Sequence, residues 1–405
     1  MIQLFLLMYA DDIVIMAESA EGLQKGLNIL QDYCLKWKLT VNTSKTKCMI
    51  FRKGRLPRQE YSFYYNEYKL EIVKHFQFLG VVFSTGGSFT EAQSTLSGQA
   101  QKAIYKLYKY LYNYVNVPVT HYLELFDKLI TPILCYGCEV WGFCRADKIE
   151  KIHLQFCKRL LKVKTSTQND TIYGELGRFP LQLIRYKRII KYWLKILSIP
   201  DTKYVKCAYY HMKQHAEIFP RKTNWATLVK NLLSELGFYE VWLNQGVGNE
   251  KLFISIFNQR LQDNFRQDWQ SRLNDSPKSR LYCLFSNFGC QRYLTIDIEN
   301  KYKIALTKLR VSSHTLEIEK GRYKKPNPTP VNERKCQECN IVEDEFHFLF
   351  ECKLYEHLRL SYIKPYYWKR PNMIKLIELL KSESTNEIRK LGKYIFKASE
   401  IKNAR

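Results

Sequence analysis

No run of apolar residues in this sequence is long enough to cross a membrane. A spanning helix needs about 20 mostly apolar residues, and none of the apolar stretches in the 405-residue chain comes near that. The nearest imitation, Met1 to Ala17, has no basic residues at its start and is broken by Asp11 and Asp12, which excludes a secretory signal. Cysteine is too thinly spread for a disulfide scaffold: 12 are scattered through the chain, only the last few at metal-like spacing, which fits a reducing compartment. Acidic residues are also short, 39 Asp+Glu against 64 Lys+Arg, leaving a net charge of +25. With 46% hydrophobic and 14% aromatic residues the chain is not a disordered one, so this excess sits on folded surfaces and calls for a polyanionic partner. A basic lipid-surface protein is disfavoured, because the basic stripes oppose well-formed core faces rather than shallow apolar ones.

What is present divides along the chain. The first 90 residues alternate short apolar runs with turns: Leu4 to Met8 and Ile13 to Ala17 flank Tyr9-Ala10-Asp11-Asp12 as a hairpin, and Phe76 to Phe83 forms another. Between them Leu23, Leu27 and Leu30 predict a helix, and Leu39 to Val41 and Lys47 to Phe51 predict extended segments around Asn42-Thr43-Ser44. Beyond residue 90 the pattern is helical. Ile104, Leu107, Tyr108 and Leu111 oppose Lys102, Lys106 and Lys109, while Tyr186, Ile189, Ile190, Trp193 and Leu197 oppose Arg185, Arg188, Lys191 and Lys195. Both predict amphipathic helices with cationic outer faces suited to a phosphate track. The stretch from Lys320 to Lys335 is basic and Pro-rich and reads as a linker.

An isolated pair of aspartates in a turn is usually only a polar turn, yet it can also hold divalent metal for phosphoryl transfer. The flanking sequence decides between these. LMYADDIVIMA resembles the YxDD motif of reverse transcriptases, in the YADD form of non-LTR (LINE-type) retrotransposon polymerases. Leu39 to Met49, LTVNTSKTKCM, resembles the following palm motif. Phe76-Gln77-Phe78-Leu79-Gly80 resembles the primer-grip hairpin, with Phe78 where Tyr is usual, and Ile133 to Gly142, ILCYGCEVWG, resembles the segment after the thumb. Four ordered motifs carry the resemblance over roughly residues 4–200.

The resemblance implies that Asp11 and Asp12 bind catalytic Mg²⁺, with Tyr9 and Ala10 under the primer end and Lys45 beside the nucleotide triphosphate. It further implies that Phe78, Leu79 and Gly80 position the primer; Lys102, Lys106 and Lys109, from the helical charge pattern, are the expected track for its phosphates. Family members carry a third catalytic Asp and the fingers upstream of YxDD, whereas only eight residues precede Tyr9. The expectation is therefore a carboxy-terminal part of the polymerase with negligible activity alone.

Near the other end, Cys336-x₂-Cys339-x₇-His347-x₄-Cys352 offers three thiolates and an imidazole, a set suited to tetrahedral structural Zn²⁺, with Phe346, Phe348, Leu349 and Phe350 as a small core beside it. His357 is a possible replacement ligand. This segment resembles the carboxy-terminal zinc-binding module of the same polymerases, as do Leu309-Arg310, Ser313-His314 and Gly321-Arg322 ahead of it. Two weaker groupings, Cys135/Cys138/Cys144 and Cys207/His211/His215, read as core cysteines and an ordinary helix face.

The expected fold is α+β: a partial reverse-transcriptase palm of antiparallel strands with a helix at 1–88, a helical thumb and following helices at 89–200, a helical connector at 201–325, and the basic linker with a CCHC zinc-binding module at 326–405. The expected function is that of an RNA-directed DNA polymerase fragment acting on an RNA template and a DNA primer or target, intracellular, in nucleus and cytoplasm. The alternative is a non-catalytic RNA/DNA-binding zinc protein descended from one.

Overall fold

The computed structural model describes residues 6–52, 61–111, 117–219 and 221–404. Leu4, at the start of the first expected strand, lies outside these. The chain forms two compact units assembled from interleaved segments: one from 1–99, 134–148 and 185–254, the other from 100–133, 149–184 and 255–405. The mixture of small sheets and many helices fits the α+β expectation.

In the first unit, strands β1 (Leu6–Tyr9) and β2 (Asp12–Ile15) pair antiparallel, Tyr9 opposite Asp12. Helix α1 (Ala20–Trp37) follows. Ser19 caps its start by accepting from the Gly22 amide at 3.0 Å, and Lys38 ends it in the left-handed region at φ +53°. The buried face of α1, centred on Leu27, covers a three-stranded sheet of order β3 (Lys47–Cys48), β5 (Tyr68–Ile72), β4 (Phe63–Tyr65). Leu27, Cys48, Phe63, Tyr65 and Leu70 form the shared core, with Ile15, Leu23 and Leu30 at its margin. Gln24 fixes the helix against β4: its side-chain amide donates to the Tyr64 carbonyl at 2.8 Å, and its carbonyl accepts the Tyr64 N–H at 2.9 Å. One helical heptad on, Gln31 accepts from the Asn66 amide at 3.2 Å.

Two expectations change here. Extended structure around Asn42 shrinks to the two residues of β3, because residues 39–46 are organised instead by the Asn42 side chain, which accepts from the Lys45 amide at 3.1 Å and the Ser44 hydroxyl at 2.7 Å. The β4–β5 hairpin, which periodicity did not single out, supplies most of that sheet. A last hairpin, β6 (His75–Phe78) with β7 (Val81–Ser84), falls where Phe76 to Phe83 predicts it.

The helix Leu181–Ser198 corrects the expected cationic outer face. Lys191 and Lys195 are exposed, but Arg185 is buried with its Nε 3.4 Å from the Gly142 carbonyl, and Arg188 donates to the Cys135 carbonyl at 3.0 Å. These guanidiniums are drawn inward because the segment 134–148 leaves carbonyls that need donors. The apolar face behaves as expected: Trp193 is buried and donates to the Tyr209 hydroxyl at 2.9 Å.

The second unit is helical. Helix α2 (Thr90–Leu111) contributes Tyr108, which packs on Phe156 and under the Arg159 guanidinium. The helices Asn300–Arg310 and Thr385–Asn403 pack closely, and Gly392 permits it: a Cβ there would lie 2.9 Å from the Tyr302 Cβ. Glu175, fully buried, accepts from Arg310 at 2.9 Å and from the Tyr293 hydroxyl at 2.6 Å. Arg310 also donates to the Leu380 carbonyl at 2.6 Å, so this ion pair joins three segments of the unit. His153 is buried against Phe126 with neither ring nitrogen hydrogen-bonded; burial, aided by the Arg178 charge, holds it neutral far below the ordinary histidine pKa.

Candidate functional site

The acidic pair sits at the tip of the β1–β2 hairpin. Since Tyr9 pairs directly with Asp12, the chain must reverse through Ala10 and Asp11 alone, and Ala10 takes φ +53° to do it. A non-glycine residue in that region costs about 1–2 kcal/mol. Tyr9, Asp11 and Asp12 are all exposed, so the two carboxylates are presented to solvent together rather than absorbed into the core. Among the described residues no third carboxylate converges on them. Two exposed aspartates can take part in a divalent-cation site but do not close one.

Lys45 lies in the Asn42 turn, exposed, and among the described residues no ion pair joins it to Asp11 or Asp12. The β6–β7 turn is built more elaborately. Leu79 and Gly80 are its two central residues, at φ +46° and +80°, the backbone twist that suits a two-residue hairpin. The Tyr136 hydroxyl donates to the Leu79 carbonyl at 2.9 Å, and its ring lies so close that a Cβ on Gly80 would come within 3.0 Å of Cε1. Gly137, at φ +64°, lets the chain pass Val81, and Trp141 donates to the Tyr136 carbonyl at 2.9 Å. Two motifs more than 50 residues apart are thus one device, in which Tyr136 and Trp141 hold the Leu79-Gly80 turn. Sequence spacing assigned Tyr136 no such role; its place between two glycine-bearing motifs was the available signal. Cys135 and Cys138 are fully buried beside it, as core residues, but Cys144 is exposed, so the reading of all three as core cysteines fails there.

Lys102, Lys106 and Lys109 are exposed on one side of α2, as expected. Tyr105, also exposed, stands among them and was not singled out from the sequence. An aromatic ring between cations adds a stacking surface to a phosphate track.

The carboxy-terminal cluster is the most fully assembled feature. The donor atoms of Cys336, Cys339, His347 and Cys352 all lie within 4.8 Å of one another. Cys352 Sγ is 3.9 Å from both Cys336 Sγ and Cys339 Sγ. A tetrahedron with Zn–S bonds of about 2.3 Å has an S···S edge of about 3.8 Å, so the separation matches. The first pair sits on a knuckle in which the Cys336 amide donates to the Ile341 carbonyl at 2.8 Å and Asn340 takes φ +56°. His347 begins a single wide helical turn, His347–Glu351, and its amide is held by Asp344 at 2.8 Å. Its ring is buried with neither nitrogen hydrogen-bonded, although Nδ1 lies 3.5 Å from the Glu351 carboxylate, and this is costly unless a ligand takes one nitrogen. Burial, with Cys336 and Cys339 adding to it, pushes the Cys352 thiol up to about 12; crowded thiols of this kind need a cation to ionise. Phe348, Leu349 and Phe350 form the buried core and Phe346 is half-buried. His357 is exposed and outside the cluster, so it does not replace a ligand. His211 and His215 are exposed on their helix, and no such cluster forms around Cys207 among the described residues.

The linker ahead of the cluster is tightly built. Arg334 donates to the Thr329 and Ile318 carbonyls, both at 2.8 Å, while its side chain lies across Gly321, where a Cβ would meet it at 2.7 Å. His314 hydrogen-bonds Glu345 at 2.9 Å and Arg322 forms an ion pair with Glu319 at 2.7 Å. The residues of the tail resemblance are therefore internal ties, whereas Lys324 and Lys325 are exposed.

Residues 1–83 match the family of reverse transcriptases (RNA-dependent DNA polymerases). A probable RNA-directed DNA polymerase from transposon X-element of Drosophila melanogaster is 20% identical over 177 residues, covering 42% of this chain and 19% of the relative. An RNA-directed DNA polymerase from mobile element jockey of Drosophila funebris is 22% identical over 161 residues, covering 38% of this chain and 17% of the relative. The matched stretch is thus under a fifth of the length of these curated relatives. No solved structure matches.

Proposed function

We propose, for a chain related to the reverse transcriptases of non-LTR retrotransposons, that residues 1–88 form the primer-side portion of the polymerase palm. The observation that carries this is that the segment matching the polymerase family holds both an exposed Asp11-Asp12 hairpin tip and a Leu79-Gly80 turn, the latter held from outside the segment by Tyr136. Asp11 and Asp12 would hold the Mg²⁺ that polarises phosphoryl oxygens in such enzymes. Tyr9 and Ala10 would lie under the primer end, Phe78, Leu79 and Gly80 would grip it, and Lys45 would neutralise triphosphate charge. The thumb at 89–200 would follow the duplex with Lys102, Lys106 and Lys109, a helical connector would occupy 201–325, and Cys336, Cys339, His347 and Cys352 would hold structural Zn²⁺ within 326–405. RNA template and DNA primer or target are the partners.

Because no third carboxylate joins the acidic pair among the described residues, these 405 residues by themselves bind primer–template without extending it. Purified chain is expected to bind an RNA–DNA primer–template with steeply salt-dependent affinity and to add no measurable nucleotide in Mg²⁺. Extension abolished by Asp11→Asn would overturn the inactivity while keeping the polymerase assignment. Failure to bind the primer–template at 100 mM salt, about the level where phosphate contacts still hold such complexes, would overturn the assignment itself.

A further inference from the structure

The second unit contains a cleft of about 550 Å³ between the helices Asn300–Arg310 and Thr385–Asn403 and the segments 162–164 and 313–316. That size falls within the range of small-ligand sites, roughly 300–1,000 Å³. Its floor is apolar, with Leu309, Phe348, Ile395 and the half-buried Phe396. Its rim is cationic: Lys162, Lys164, Lys301, Lys308 and Lys402 line it, against a single carboxylate, Glu400.

Three of the rim lysines are already engaged. Lys402 pairs with Glu343 at 2.6 Å, Lys301 with Glu299 at 2.8 Å, and Lys164 donates to the His314 carbonyl at 3.0 Å. Lys162 and Lys308 have no ion-pair partner among the described residues. An apolar floor under two uncommitted ammonium groups matches a ligand with a flat apolar body and a phosphate at its edge. Phe396, fixed edge-on against Tyr302 at 5.7 Å, supplies an aromatic surface on which a base can stack. An acyl chain would need an apolar rim as well as an apolar floor, and this rim is ionic.

We infer that this cleft receives a nucleotide of single-stranded nucleic acid, its base against Phe396 and its flanking phosphates on Lys162 and Lys308. The inference rests on the nucleic-acid reading above but needs no polymerase chemistry.

The test uses the full chain and a ten-nucleotide single-stranded RNA, with a DNA decamer in parallel, followed by fluorescence anisotropy. Lys162→Glu with Lys308→Glu should weaken binding about tenfold or more and lower the salt slope by about 1.4, since each lost phosphate contact on a single strand removes about 0.7. Ala305→Trp, which fills the cleft and leaves every charge in place, should also weaken binding. Lys251→Glu with Lys369→Glu makes the same charge change at exposed positions outside the cleft and should stay within twofold. The proposal fails if that control pair weakens binding as much, or if Ala305→Trp binds like the original chain. It also fails if phosphatidylserine vesicles, and not RNA or DNA, show the dependence on Lys162 and Lys308. Should the variants not fold, 4-thiouridine crosslinking to the unaltered chain decides: adducts within 162–164, 304–309, 313–316 or 395–403 support the site, and adducts only elsewhere overturn it. Unchanged decamer binding in the cleft variants, with primer–template binding intact, would overturn this inference and leave the polymerase reading standing.

Discussion

Replacing Cys339 by Ser tests the metal centre most directly, because Cys339 is the half-exposed member of the cluster and its loss leaves the buried ligands in place. Structural zinc sites in small modules bind with roughly 10–16 kcal/mol of apparent free energy. Spread over the four donors here, one ligand carries about 2.5–4 kcal/mol, so Cys339→Ser should weaken zinc binding by about 10²–10³-fold. The original chain should hold one zinc per molecule by mass spectrometry of the metal. Its cobalt form should show the thiolate-to-metal absorption of a three-sulfur tetrahedral site, diminished in the variant. Effects should also reach beyond the ligands. The Tyr394 hydroxyl donates to the Phe348 carbonyl at 2.6 Å, and Arg359 donates to the Leu349 carbonyl at 3.0 Å and the Cys352 carbonyl at 2.6 Å. Chelation should therefore raise amide exchange in 336–352 and in the part of the carboxy-terminal helix around Tyr394. Zinc well below one per chain, or equal affinity in Cys339→Ser, would refute the reasoning.

Other expectations follow from the same structure. Gly80→Ala places a Cβ at φ +80° and against the Tyr136 ring; a cost of about 1–2 kcal/mol from the backbone alone should appear as faster exchange across 75–84, and exchange equal to the original chain would contradict it. Arg310→Met strands the buried Glu175 carboxylate and should cost about 3–5 kcal/mol in urea unfolding, whereas Arg310→Met with Glu175→Gln should recover part of that loss. His153 is held neutral in the folded chain, so the unfolded chain binds the extra proton, and stability should fall as pH drops below about 6.5. His153→Phe, in the ring stack with Phe126, should flatten that acid limb in thermal melts at pH 5–7; an unchanged limb would exclude His153 as its source.

The parts of this molecule that were legible in its sequence are those fixed by short spacings. Leu23, Leu27 and Leu30 place α1 because a helix face repeats locally, and Cys336 to Cys352 announce a Cys₃His group that could hold a metal because its donors lie within one knuckle and one turn. The β4–β5 hairpin was missed for a related reason. Its turn residues, Asn66 and Glu67, both adopt positive φ, but Glu stands where glycine would mark such a turn. Long-range pairings gave no signal at all. Arg185 and Arg188 look like solvent-facing cations in a helical projection, and only the carbonyls of Gly142 and Cys135 explain why they turn inward. The Tyr136 clamp on Leu79 belongs to the same class, as does Glu175 with Arg310, since each depends on a fold that brings distant segments together.

The glutamines of α1 have a consequence beyond fixing the helix on its sheet. Strand β4 is the outer strand of its sheet, and an outer strand normally offers open N–H and C=O groups to any extended peptide. Here Gln24 occupies both outward groups of Tyr64, and Gln31 takes the amide of Asn66. Side-chain amides stand in for a fourth strand, so this margin is closed to strand addition by another chain. Gln24→Leu would keep the helix while reopening the margin, turning a sealed border into a seed for aggregation.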